Sequence, residues 1–88
     1  MTEFSFRANP IGSNQVEIRT QRYRILCSFG IPVAYEDMEN RKYFRTEKEF
    51  PKPTEKHIIQ FLEGVKDWST KTQDELEELL KEGNIQSV

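Results

Sequence analysis

"KYFRTEKEFPKPTEKHIIQFLEG", residues 42–64, is where the chain changes its period. Before Pro51 side chains alternate every second residue, with Arg41 and Arg45 flanking Tyr43 in strand-like fashion. After it, Ile58, Phe61, Leu62, Val65 and Trp68 recur at helical spacing and form one apolar stripe. Thr54 is the expected N-cap of that helix, with Glu55 in the first turn, where a carboxylate suits the helix dipole. Gly64 stands near its expected end.

Toward the N-terminus the alternation by two continues. Phe4 and Phe6 share a face in "TEFSFRA", and "NPIGSN" (9–14) has the composition of a loop. "QVEIRT" alternates Val16 and Ile18 against Glu17 and Arg19. "RYRILCSF" sets Tyr23, Ile25, Cys27 and Phe29 against Arg22, Arg24, Leu26 and Ser28. No Gly or Pro marks a turn near Thr20 and Gln21, so residues 15–29 read equally as one bent strand or two. Gly30 is expected at a bend or bulge, and "IPVAY" places Ile31, Val33 and Tyr35 together. Pro32 lacks a donor and so belongs at an edge or beside a bulge. The loop "EDMEN" should join this stretch to "RKYFRT" as a hairpin.

Toward the C-terminus, "TQDELEELLKEG" reads as a second helix: Thr72 and Glu75 form a capping box, and Gly83 is the expected stop. Its apolar stripe, Leu76, Leu79 and Leu80, is narrow. Strands first and helices second specify an α+β fold, an antiparallel sheet of four or five strands with two helices packed on one face. All of it fits a single domain, 1–88, with a β-rich part at 1–46 and a two-helix part at 53–83.

Composition narrows the chemistry. Hydrophobic residues are 35% of the chain and charged residues 32%, with ten aromatics (six Phe, three Tyr, one Trp) to build a core. No membrane span or signal-peptide layout is visible, and a single cysteine suits a reduced, cytoplasmic setting. One Cys and one His fall short of a structural zinc site, and the glycines form no phosphate-binding loop, so neither metal nor cofactor is expected. Nucleophilic catalysis would need Cys27 beside His57. Cys27 lies mid-strand, where cysteine behaves as a small hydrophobe, and His57 lies at the margin of the helical stripe, against Phe61 or Trp68. Structural roles are therefore expected for Cys27, Thr54, His57, Phe61 and Trp68, and no enzymatic one.

Two surfaces are candidates for partner contact. Arg22 and Arg24, with Arg41, Tyr43 and Arg45, resemble sheet surfaces that stack bases and hold phosphates. Asp74, Glu78 and Glu82 form an i, i+4, i+8 row with Glu75 alongside, a row whose repulsion a basic partner would relieve. Residues 1–45 carry seven Lys and Arg against five acids, and residues 46–88 carry six against ten, so the net −2 hides two differently charged halves.

The stretches "YRILCSFGIPVAYED", "KYFRTEKEF" and "TEKHIIQFL" resemble a family of small bacteriophage open reading frames. Its pattern is an aromatic strand, a "PVAY" strand, a "Y/F-x-[RK]-T" strand and a "T-x-[KR]-H-I" helix start, and "PKPTEKHI" here replaces its Ser/Thr-rich run. The resemblance implies a phage accessory protein in the host cytoplasm. The expected function is an anti-CRISPR-like inhibitor that binds a host protein or ribonucleoprotein complex by protein contact. The alternatives are a small nucleic-acid-binding protein using the Arg/Tyr surface and a virion structural component.

Overall fold

Turn chemistry organises the first half of the molecule, a computed structural model in which the described residues are 7–12 and 14–86 and the described side chains run from 10 to 81. Five strands follow one another: β1 (Arg7–Gly12), β2 (Gln15–Arg19), β3 (Tyr23–Ser28), β4 (Ile31–Asp37) and β5 (Lys42–Thr46). Thr20 makes the β2–β3 turn without Gly or Pro, because its Oγ1 accepts the N–H groups of Arg22 and Tyr23. Residues 15–29 are thus two strands. Phe29 and Gly30 join β3 to β4 with φ of 52° and 81°, the left-handed pair whose twist matches a two-residue hairpin. Asp37 closes β4 onto β5 by accepting the N–H groups of Glu39 and Asn40.

Helix α1 (Lys52–Phe61) then carries the chain to β6 (Trp68–Lys71), and α2 (Gln73–Gln86) ends the fold. Sheet order is the sequence order of the strands; β1 to β5 pair antiparallel, and β6 lies parallel to β5. A parallel pair needs a crossover, and α1 supplies it. The sheet is therefore six-stranded and mixed, where four or five antiparallel strands were expected. Trp68 belongs to that sixth strand and not to the helical stripe, since α1 stops at Phe61 and Gly64 adopts φ 82°.

The helices lie on opposite faces of the sheet, not on one. Ile58 and Leu62 of α1 cover Leu26, Val33 and Ala34, whereas Leu76 of α2 covers Ile25, Cys27 and Tyr35. The reason is in the central strands. Residues 25–28 and 32–35 are buried without interruption, so β3 and β4 have two apolar faces and each needs a cover. Fully burying Ile58 or Leu76 contributes roughly 1.5–3 kcal/mol each.

A bulge sets which residue serves which face. Leu26 pairs with Ala34 but Cys27 with Pro32, leaving Val33 as the extra residue. Val33 thereby turns to the α1 side, parted from Tyr35. Pro32 sits at this bulge in an interior strand. Other boundaries also move: Asn9 and Pro10 are in β1, and α2 continues through Gly83 to Gln86. Phe4 and Phe6 lie outside the described residues.

Candidate interaction surfaces

The lone thiol and lone imidazole stand on opposite sides of the sheet. Cys27 faces α2, is 4% exposed, and burial pushes its pKa up to about 11, so the neutral thiol prevails at pH 7. His57 belongs to α1 on the other side. Its Nδ1 lies 2.7 Å from Ser28 Oγ, which is itself 3.0 Å from Thr54 Oγ1. The ring stacks on Phe29, centroids 5.9 Å apart, rather than on Phe61 or Trp68. Thr54 is not the N-cap: α1 begins after Pro51, and the Thr54 hydroxyl is buried against β3. Proline serves at the helix start because its missing N–H is one that the first turn leaves unpaired anyway. Glu55 supplies the closing bond by accepting the Phe50 N–H at 3.0 Å.

Three arginines of the expected sheet surface, Arg22, Arg24 and Arg45, already hold carboxylates. Arg22 donates to both oxygens of Asp37, at 3.1 and 3.0 Å, and holds that carboxyl down to about 2. Arg24 donates to Glu36 at 2.9 Å and lies 4.7 Å over the Phe61 ring, while Phe61 meets the edge of Tyr43. Arg45 forks onto Glu55 at 2.9 and 3.0 Å, lowering that carboxyl as well. Arg41 stands exposed in the β4–β5 turn at φ 57°. A phosphate approaching Arg22, Arg24 or Arg45 must displace a carboxylate.

The acidic helix is arranged differently. Leu76 is fully buried, Leu79 and Leu80 are half-buried, and Asp74 and Glu78 are exposed. Glu75 is spent on the capping box, where Thr72 N–H donates to its carboxylate and its own N–H donates to Thr72 Oγ1. Glu77 accepts from Gln73 at 3.4 Å. Glu82 continues the row along α2, its side chain outside the described ones. Among the described residues no ion pair joins Asp74 or Glu78 to a cation, and no three His, Cys, Asp or Glu side chains converge to hold a metal ion. No helix among them is long and apolar enough to cross a membrane.

Sequence reasoning missed the margin of the sheet at β6. Trp68 is 47% exposed there and Ile59 of α1 is 66% exposed, and both line one groove of 530 Å³ with Arg45, Lys56 and Glu63. The available signal was the short alternation of "WSTK" after Gly64, too brief to outweigh the helical stripe. Comparison with protein-family models, with curated proteins and with solved structures finds no match.

Proposed function

We propose that this chain is a small non-enzymatic phage accessory protein that binds a host or defence complex by protein contact and inhibits it, as an anti-CRISPR does. The observation that carries the reading is the outward row of α2: Asp74 and Glu78 are exposed and in no ion pair among the described residues, while Arg22, Arg24 and Arg45 are tied to carboxylates. Such a row attracts a basic groove of the kind that nucleic-acid-handling proteins use for phosphates, and complementary charge speeds encounter and fixes register. The resemblance of residues 23–62 to small phage open reading frames supports the setting, the bacterial host cytoplasm.

The test is capture from host lysate by the tagged chain, read by mass spectrometry. Asp74→Lys, Glu78→Lys and Glu82→Lys together should abolish capture while leaving the far-ultraviolet circular dichroism unchanged. Undiminished capture removes the acidic helix from the reading. Oligonucleotide binding that falls steeply with salt would replace it with a nucleic-acid partner.

A further inference from the structure

Among the described residues the sheet ends at β6 with one side of that strand unpaired. The Lys71 carbonyl accepts the Glu47 N–H at 2.8 Å, so the backbone groups of Lys71, and by alternation those of Ser69, turn toward β5. Those of Trp68 and Thr70 turn outward, and the side chains of Trp68, Ser69 and Thr70 are all exposed. At the opposite margin β1 carries Pro10 and a register shift between Pro10 and Gly12, features that spoil an edge for pairing. Strand β6 has neither.

Alternating outward donors and acceptors are satisfied along their length only by another extended backbone, and the residues around β6 say which one. Asp67-Trp68-Ser69-Thr70-Lys71 is complementary in charge to its own reverse. We infer that β6 pairs antiparallel with β6 of a second copy, about a two-fold axis through Ser69. Residues directly opposite each other share a face of the sheet, so even-numbered positions meet even and odd meet odd. Centred on Ser69, Trp68 and Thr70 exchange backbone hydrogen bonds with Thr70 and Trp68 of the second copy. Asp67 then stands opposite Lys71 of the second copy at both ends. Trp68 is the sheet neighbour of Tyr43 and so lies on the α1 face, where it and Ile59 flank the joint. The contact is isologous and joins two six-stranded sheets into one. It leaves the acidic face of α2 unused, so it stands or falls independently of the partner proposed above.

Sedimentation of the full chain across a concentration series tests it. The wild-type protein should form a dimer that weakens with salt. Thr70→Pro removes an outward N–H and no bond to β5, and it should give a folded monomer whose melt no longer depends on protein concentration. Asp67→Lys alone and Lys71→Asp alone each set like charges face to face, and each should weaken the dimer roughly ten- to a hundredfold. An equimolar mixture of those two variants should restore dimerisation, because each chain then complements the other. Should Lys71→Asp fail to fold, Asp67→Lys carries the charge test alone, since its dimer should strengthen with salt where the wild type weakens. A wild-type monomer at every concentration up to about 1 mM, a dimer indifferent to Thr70→Pro, or a mixture no better than its components would overturn the inference.

Discussion

The two faces of the sheet are covered by different physics. On the α1 face, apolar packing of Ile58 and Leu62 is joined by directional contacts: Ser28 with Thr54 and His57, and Arg45 with Glu55. On the α2 face the helix contributes, among its described side chains, one fully buried, Leu76, beside half-buried Leu79 and Leu80. Its polar link is Gln73 Nε2 donating to the Pro32 carbonyl at 2.7 Å, and the buried Gln73 Oε1 has no partner among the described residues. Directional bonds fix the seating of α1 to one place, because any shift strands the buried hydroxyls of Ser28 and Thr54. Apolar contact fixes α2 less tightly, and it leaves Asp74 and Glu78 exposed to solvent or a partner.

That contrast can be broken most forcefully at Leu76. Leu76→Ala should cost about 2–5 kcal/mol in urea unfolding. Hydrogen exchange should show α2 losing protection ahead of β3 and β4, and Cys27 beneath it should become open to alkylation. If α1 amides lose protection equally, the two faces do not differ in the way described.

Adjacent residues on opposite faces sharpen the comparison. Ser28→Ala leaves Thr54 Oγ1 and His57 Nδ1 without their buried partner and should cost about 1–3 kcal/mol. Cys27→Ala deletes only a small apolar group and should cost about 1 kcal/mol. Equal losses in chemical denaturation would mean that the hydroxyl network adds nothing to packing.

The smallest effect belongs to the sheet's rim, at Arg22 and Asp37. Bonding to Arg22 lowers the Asp37 carboxyl from 3.8 to about 2 in the folded state. A depressed folded pKa means stabilisation that is complete above the unfolded value and lost as pH falls through the folded one. Stability should thus drain between about pH 4 and pH 2, and Asp37→Asn should flatten that part of the profile in thermal melts across the range.

Much of this was readable beforehand from local pattern. The hairpin of β4 and β5, the start of α2 at its capping box and the outward acid row each follow from residues close in sequence, whose geometry is set by alternation, turn chemistry or the helical repeat. Thr54 shows the limit. It has the right chemistry for an N-cap, but Pro51 and Pro53 move the helix start earlier, and Ser28, twenty-six residues away, claims its hydroxyl. The arginines show it again: alternation placed Arg24 and Arg45 on a sheet surface, yet Glu36 and Glu55 neutralise them from other elements.

Residue order by itself determined that this chain makes strands and then helices, because periods of two and of 3.6 are written in neighbouring side chains. Tertiary structure alone decided that the helices part to opposite faces, that Val33 leaves the side of Tyr35, and that Trp68 ends in a strand. Those outcomes depend on which surfaces remain uncovered once the sheet has formed, a condition shared by the whole chain and carried by no short stretch of it.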